Sequence, residues 1–221
     1  MKKPVVVFLH GLARTHRSLD RLRRHVERAG WDTWARTYPS RRLPLAELAA
    51  LIAGWIRADV GDRPLYGVTH SLGGIVARHL SSALPWRGVV MLAPPNRGSR
   101  VAEALGGHPL FRWWFGPAGL ALADPRGWPP PPAPFAVIAG TLGASPGNLP
   151  SWLIQARRLL PRGVAHDGTV TVEEARLDGM SAYAEVPASH TFLMDHPETQ
   201  RLVLQLLQSW YQGTWSTSWP A

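Results

Sequence analysis

The sequence contains no cysteine among its 221 residues. A chain without thiols can form neither a disulfide framework nor a thiolate metal site, and it cannot use a cysteine nucleophile. Long apolar runs are also missing: the run from Val5 to Leu9 ends at His10-Gly11, and no later run approaches the roughly 20 residues of a membrane helix. We therefore expect no signal peptide, a mature chain that begins at Met1, and a cytoplasmic protein without stable membrane insertion.

Lysine is almost absent as well. Lys2 and Lys3 are the only lysines, so nearly all of the formal net charge of +9 comes from arginine. The arginines are scattered, whereas a nucleic-acid-binding protein is expected to gather its basic residues on one face, often among stacking aromatics. We expect no nucleic acid partner, although the positive field can draw anionic substrates or lipid surfaces toward the molecule. Arginines occur on a predicted helix at Arg21, Arg23, Arg24 and Arg28, in a loop at Arg41-Arg42, and on another predicted helix at Arg157-Arg158.

Short apolar runs alternate along the chain with segments of helical periodicity. This alternation predicts an α/β fold: a mostly parallel sheet of about six strands with helices on both faces and sites at the carboxyl ends of the strands. The length suits a single domain over residues 1–212, followed by a tail over residues 213–221. The predicted strands are Pro4–His10, Thr33–Thr37, Pro64–Thr69, Gly88–Ala93, Phe135–Gly140 and Tyr183–Pro187, and the predicted helices are Ser18–Ala29, Leu45–Ala58, Leu72–Leu84 and Pro197–Tyr211.

One segment, residues 106–134 after the fourth predicted strand, breaks the alternation. Its aromatic residues include Phe111, Trp113, Trp114 and Phe115. Long insertions in compact domains are commonly functional, so these four side chains are candidates for a lid or for the wall of a substrate pocket. The alternative is that they only pack the insertion onto the domain.

The run VTHSLGG places Ser71 between a predicted buried strand and a predicted helix. A serine hydroxyl is a useful nucleophile only when it is exposed, held still and touched by a base, and a tight strand-to-helix turn provides that exposure at the cost of a strained backbone. Gly73 lets the helix backbone pass close by. Thr69 stands where the usual pattern has glycine, a mild departure because a small residue can still fit. The alternative interpretation is an ordinary helix-capping serine.

A tetrahedral intermediate needs two convergent hydrogen-bond donors for its oxyanion. The backbone N–H of Leu72, directly after Ser71, is one candidate. The loop after the first strand should supply the other, and we expect the N–H of Leu12, with Gly11 giving the backbone room to turn. A His-Gly pair is weak evidence by itself and gains weight beside the serine turn.

The general base should be a histidine late in the chain, on a loop after the last strand. His190 in the run PASHTF meets that description. His196 is the nearest rival, but it adjoins Pro197, so Asp195 and His196 are better explained as residues at the start of a helix. His70 adjoins the nucleophile in sequence and is expected to point elsewhere.

The acid that orients His190 should lie on the loop beyond the preceding strand. Asp167 in the run HDGTV fits, with Gly168 allowing a turn. Asp-Gly is also a plain turn signal, and Asp178 and Asp124 remain alternatives. The resulting chain order, serine then aspartate then histidine, is the one expected of α/β-hydrolases.

Five runs carry a resemblance to a known family: VVVFLHGL, VTHSLGG, LAPPNRGS, HDGTVTVEEARL and ASHTFLMDHP. Together they make the chain similar to the small bacterial lipase and esterase branch of the α/β-hydrolase superfamily, over most of its length from Val5 to about Tyr211. The resemblance implies a catalytic triad of Ser71, Asp167 and His190, a carboxylic ester substrate, and no cofactor or metal. No motif of the family matches the insertion.

The expected activity is acyl transfer to water through an acyl-enzyme, from a small-molecule ester or a lipid-like substrate, with transient lipid-surface contact compatible with the sequence. A thioesterase or an acyltransferase would use the same triad. The alternative from another class is a hydrolase-fold binding protein without catalysis, which would be expected to lack one triad member. The sequence does not predict chain length of the substrate or oligomeric state.

Overall fold

A six-stranded sheet forms the centre of the molecule. The computed structural model describes residues 2–143, 160 and 163–214. The strands are β1 (Val5–Leu9), β2 (Asp32–Ala35), β3 (Leu65–His70), β4 (Trp86–Leu92), β5 (Phe135–Gly140) and β6 (Ala182–Val186). They lie in the order β2-β1-β3-β4-β5-β6, and every neighbouring pair is parallel. The predicted parallel sheet is therefore confirmed.

Side chains alternate between two hydrophobic cores, one on each face of the sheet. In β1, Val5, Val7 and Leu9 join one core, whereas Val6 and Phe8 join the other. A strand covered on both faces can be apolar at every position, which is why its sequence is a continuous apolar run and lacks the alternation of a half-exposed strand. Burial on both sides holds the carboxyl ends of β1, β3, β5 and β6 in fixed relative positions.

Helices cover both faces, as predicted. The described helices are α1 (Asp20–Arg28), α2 (Leu45–Val60), α3 (Leu72–His79), α4 (Arg100–Leu105), α5 (Pro109–Leu120), α6 (Val172–Ala175) and α7 (Pro197–Gln212). Residues of α2, α3, α4 and α5 pack in the first core, and residues of α1 and α7 pack in the second.

Most predicted boundaries lie within two residues of the observed ones, and β5 has the bounds predicted for it. Helix α3 is the largest departure, since it ends at His79 where the sequence predicts Leu84. Ser81 and Ser82 favour turns over helix, and a proline follows directly after Leu84, so the segment breaks into turns. The predicted helix that includes Arg157-Arg158 lies outside the described residues.

The insertion is largely helical. It contains α5, a short 3-10 helix over Ala121–Ala123, and an extended stretch that leads to β5. Gly116 interrupts α5 with non-helical dihedral angles, and Pro117 follows it. The role of the insertion as a lid stays a prediction.

Within the described ranges, no helix combines the length and apolarity required to cross a bilayer.

Candidate active site

Ser71 occupies a strained turn between β3 and α3. Its φ of 53° and ψ of −122° are rare for a residue with a side chain. Such a conformation costs on the order of 1–3 kcal/mol and persists only where the surroundings impose it. The Ser71 N–H donates to the carbonyl of Leu92 at 2.9 Å, and the Gly74 N–H donates to the carbonyl of Ser71 at 2.9 Å. The turn is held by backbone hydrogen bonds on both sides.

Two glycines make room for this turn. A Cβ atom on Gly73 would lie 2.3 Å from the carbonyl oxygen of Leu9, so only glycine allows α3 to approach β1 this closely. A Cβ on Gly74 would lie 2.9 Å from Cβ of Pro94 and 3.4 Å from Oγ1 of Thr69. The close contact with Pro94 requires glycine at residue 74, and Thr69 is fully buried beside it where the usual pattern has glycine.

The capping interpretation of Ser71 does not fit. Ser71 stands at the N-cap position of α3, but its side chain accepts no capping hydrogen bond. Ser71 instead lines a cavity together with His70 and His190.

His190 and Asp167 form a buried pair. Nδ1 of His190 lies 2.6 Å from Oδ2 of Asp167, and the two residues are 8% and 1% exposed. The other carboxylate oxygen of Asp167 accepts the backbone N–H groups of Thr169 at 2.9 Å and Val170 at 2.8 Å. With its Nδ1 proton directed at a carboxylate, neutral His190 has its lone pair on Nε2, the atom a general base must present.

The loops that carry the pair are joined by their backbones. The N–H of His190 donates to the carbonyl of Asp167 at 2.9 Å. Gly140, the last residue of β5, lies beside both loops: a Cβ there would be 2.5 Å from the carbonyl oxygen of Ala188 and 2.8 Å from Cβ of Asp167. Glycine at the end of β5 is thus required for the loops that carry Asp167 and His190 to meet.

The segment after Asp167 is fixed by a helix cap that sequence reasoning missed. Thr171 and Glu174 form a reciprocal capping box at the start of α6. The buried Glu174 also accepts the N–H of Arg100 at 2.7 Å, which ties the Asp167 loop to the start of α4. A threonine followed three residues later by glutamate is a recognisable N-terminal signal, so this feature could have been found.

His70 packs against His190, the candidate general base. Its ring centroid lies 4.7 Å from that of His190, and its Nε2 is 2.9 Å from the carbonyl oxygen of His190. The expectation that His70 points elsewhere was wrong, since it lines the same cavity as Ser71. Burial, and then the neighbouring His190, hold the pKa of His70 well below the usual range, which keeps its ring neutral.

His10 supports the loop after β1. It stacks on Tyr38 with ring centroids 3.8 Å apart, and its Nε2 accepts the Tyr38 N–H at 3.2 Å. The Tyr38 hydroxyl donates to the His10 carbonyl. Burial lowers the pKa of His10 to about 4. The loop that should supply the second oxyanion donor is thus anchored by a neutral, fully buried imidazole.

The candidate oxyanion donors flank Ser71. Leu72 is the first residue of α3, a position whose N–H has no acceptor within the helix. Leu12 follows Gly11 and lines the cavity. A Cβ on Gly11 would lie 2.9 Å from Nδ1 of His70 and 3.3 Å from Cβ of Ser71, so this loop passes directly over the serine turn.

The cavity at Ser71 has a volume of about 410 Å³ and a mostly apolar wall. The insertion supplies much of that wall, including Phe111, Trp114 and Phe115. Trp113 does not line it: this side chain is 72% exposed and belongs to a neighbouring groove beside Arg41. Three of the four aromatic candidates therefore face the cavity.

The rival site residues lie elsewhere. His196 is the N-cap of α7 and its side chain accepts the Glu198 N–H, in line with a helix start. Asp178 is exposed and lies 3.4 Å from Arg97, and Asp124 pairs with Arg126. In the part of the chain that the structure describes, no group of three or more histidine, aspartate or glutamate side chains is placed to hold a metal ion.

Arg78 is a further residue whose contacts the sequence did not predict. It is buried on α3 and donates to the carbonyls of Asn96 at 2.9 Å and Pro129 at 2.7 Å, with its guanidinium also near Trp128. It fastens the far end of the insertion to the helix that follows Ser71. An arginine inside a helix carries no sequence signal for such a contact.

No protein-family profile and no curated protein matches the sequence. Solved structures do match. The mature lipase BlEst2 of Bacillus licheniformis aligns with a TM-score of 0.71 and 19% identity over 93% of this chain and 92% of its own. The metagenomic carboxyl esterase MGS0156 aligns with a TM-score of 0.72 and 21% identity, over 95% of this chain and 76% of its own. The NocB thioesterase domain from the nocardicin cluster aligns with a TM-score of 0.61 and 17% identity, over 94% of this chain and 95% of its own. The chain has the α/β-hydrolase fold.

Proposed function

We propose that this chain is a serine hydrolase that cleaves carboxylic esters through an acyl-enzyme on Ser71. One observation carries the proposal: Ser71 in its strained turn and His190, hydrogen-bonded to the buried Asp167, line the same apolar cavity. The likeness of the fold to a lipase and a carboxyl esterase supports it.

The first half-reaction acylates Ser71. Nε2 of His190 accepts the hydroxyl proton as Oγ attacks the ester carbonyl carbon, and Asp167 stabilises the imidazolium that forms. The tetrahedral intermediate then collapses, the bond to the leaving alcohol breaks, and His190 returns the proton to that alcohol. Water repeats the sequence on the acyl-enzyme, which frees the acid and restores Ser71.

The oxyanion of each intermediate is bound by backbone N–H groups in this proposal. Leu72 and Leu12 supply them, and the positive end of the α3 dipole adds a favourable field. Because Ser71 and the Gly11 loop are fixed by packing, these donors need little rearrangement during the reaction. The apolar wall from α5 would receive the acyl chain of the ester.

The test is hydrolysis of p-nitrophenyl esters from acetate to palmitate by the native protein and by Ser71→Ala. We expect a native rate that peaks at one chain length, because the cavity has a finite volume, and a loss of about a millionfold in kcat for the variant. The matched control is Ser82→Ala, which changes an exposed serine beyond the end of α3 and should retain native activity.

A fluorophosphonate probe separates the outcomes. Labelling of Ser71 without hydrolysis of any oxygen ester would leave the nucleophile in place and contradict the ester assignment. Absence of both labelling and turnover would overturn the enzyme proposal in favour of a binding protein. Activity retained by Ser71→Ala would show that another residue is the nucleophile.

A thioesterase is the second candidate. The same groups would cleave a thioester, and the likeness to the NocB thioesterase domain favours including it. Matched butanoyl oxygen esters and thioesters distinguish the two, since the preferred class should show the higher kcat/KM.

A further inference from the structure

A polar groove adjoins the cavity at Ser71. It has a volume of about 410 Å³ and lies between the loop after β1, the loop after β2 and the exposed side of α5. Three arginines line it: Arg14, Arg41 and Arg42. The groove has a polar lining, unlike the apolar cavity beside it.

The three guanidinium groups have no carboxylate partner within the described part of the chain. All 15 acidic residues of the sequence lie within the described ranges, and none forms an ion pair with Arg14, Arg41 or Arg42. Asp195 influences Arg14 only from beyond ion-pair distance. The groove therefore holds positive charge that none of the described residues neutralises through an ion pair.

Several contacts hold Arg41 in place, although one of its N–H donors has no partner among the described residues. Its guanidinium lies 4.6 Å from the ring centroid of Trp114, and its Nε is buried with no hydrogen-bond partner among the described residues. Its backbone is fixed as well, because a Cβ on Gly116 would lie only 1.8 Å from the Arg41 carbonyl oxygen. Its Nη2 donates to the carbonyl of Trp113, a residue that also lines the groove, at 3.5 Å. These contacts hold the positive charge of Arg41 at the wall of the groove.

Arg14 connects the groove to the catalytic cavity. It lines both, as does Ala13, and its Nη1 donates to the carbonyl of Thr191 at 3.4 Å, one residue after His190. Desolvation lowers the pKa of Arg14. A substrate bound at Ser71 can therefore extend past Arg14 into the groove.

We propose that this groove binds a phosphate group on the leaving part of the substrate, so that the preferred substrates are esters of phosphate-bearing alcohols. The inference deepens the proposed esterase function and rests on it. The acyl chain occupies the apolar cavity, and the alcohol part passes Arg14 toward Arg41 and Arg42.

Three guanidinium groups favour phosphate over carboxylate. A carboxylate carries one charge and is satisfied by a single bidentate arginine, whereas a phosphate carries up to two charges and three free oxygens. The source of the phosphate is either a lipid headgroup or a small soluble ester, and the chemistry that the groove recognises is the same in both.

Two substrate pairs test the proposal, and each pair differs only by the phosphate. The lipid pair is dihexanoylglycerol phosphate and dihexanoylglycerol, kept below their aggregation concentrations. The soluble pair is 2-butanoyloxyethyl phosphate and 2-butanoyloxyethanol. We expect kcat/KM to be about tenfold or more higher for the phosphate member of at least one pair, a size typical of one charge-assisted hydrogen bond. The pair with the preference identifies the source.

The variant Arg41→Gln/Arg42→Gln should lower this preference by about tenfold or more, because both charges leave the groove. The matched control is Arg24→Gln/Arg28→Gln, which removes two exposed charges from α1 and should leave the preference within about twofold after screening by salt. Arg42→Gln alone, at an exposed position, should lower it in the same direction and by less.

Binding of hexyl phosphate to Ser71→Ala, measured by calorimetry, separates this proposal from the esterase proposal. Binding that depends on Arg41 and Arg42 would support the groove even if no ester were hydrolysed. No phosphate preference in either pair, with neutral esters still cleaved, would overturn it. An effect of the arginine variant confined to anionic vesicles would also overturn it, since the arginines would then contact a lipid surface and not a substrate phosphate.

Discussion

At the scale of single residues, the hydrogen bonds made to Asp167 require a carboxylate at this position. One oxygen accepts from His190 and the other accepts the N–H groups of Thr169 and Val170. Both oxygens are therefore acceptors, and no hydrogen-bonding position is left for a donor.

Asp167→Asn should lower kcat by roughly 10⁴-fold with little change in fold. The single amide oxygen would accept the two backbone N–H groups, and the NH₂ group would then face Nδ1 of His190. That contact forces the imidazole proton onto Nε2, where it blocks proton transfer from Ser71. Steady-state hydrolysis of the best p-nitrophenyl ester measures the effect.

The control for this variant is Asp178→Asn, an exposed aspartate that also precedes a glycine. It should retain native kcat. If Asp167→Asn were as active as Asp178→Asn, Asp167 would have no part in orienting the base.

The edge of the sheet at which the candidate triad residues lie was the easiest feature of the site to predict from the sequence. Ser71, Asp167 and His190 follow predicted strands, and a parallel sheet brings such positions to one edge. The contact between His70 and His190 could not be predicted, because it depends on how the loops at that edge pack.

At the scale of elements, Gly116 is where the backbone of the insertion packs against the loop after β2. Its φ of 64° and ψ of −173° lie in a region that is essentially restricted to glycine. Since a Cβ there would overlap the Arg41 carbonyl oxygen, α5 reaches this loop only without a side chain at residue 116.

Gly116→Ala should displace α5 and lower the free energy of unfolding by about 3 kcal/mol. Because Phe111 and Phe115 of α5 line the cavity, kcat/KM for octanoate esters should fall more than for acetate esters. Urea unfolding and the ester chain-length profile measure the two effects.

Gly107→Ala is the matched control, since a Cβ there meets no atom within 4 Å. Its stability and chain-length profile should stay native. Equal behaviour of the two alanine variants would contradict the role assigned to Gly116.

The structure of the insertion illustrates what the sequence leaves open at this scale. Strands such as β5 are continuous apolar runs with clear ends, so their bounds could be predicted. In α5, aromatic residues occur on both sides: Phe111 is buried and Trp113 is exposed. Composition alone could not tell which aromatics face the cavity.

At the scale of the whole molecule, two buried histidines make stability depend on pH. The pKa of His10 is lowered to about 4 and that of His70 lies well below its usual value, in both cases chiefly because of burial. In the unfolded chain each would titrate near 6.5. The unfolded state therefore binds protons that the folded state does not accept as the pH falls below about 6.5.

We expect the free energy of unfolding to decrease from pH 7 to pH 5, with about 2 kcal/mol of the decrease due to His10. The contribution of these groups is fully present above pH 6.5 and is lost as the pH approaches the folded-state value. Urea unfolding at both pH values measures it.

The variant His10→Gln cannot titrate at this position and should show a smaller difference between pH 7 and pH 5, even if it is less stable at both. A native protein equally stable at the two pH values would contradict the low pKa assigned to His10.

Two residues outside the insertion hold its ends on the domain. Glu174 accepts the N–H of Arg100, which precedes the insertion, and Arg78 donates to the carbonyl of Pro129, near the end of the insertion. Between these anchors, α5 forms part of the cavity wall and contacts the loop after β2. Changes of sequence within residues 106–127 would therefore alter which molecules the cavity accepts more than they alter the sheet.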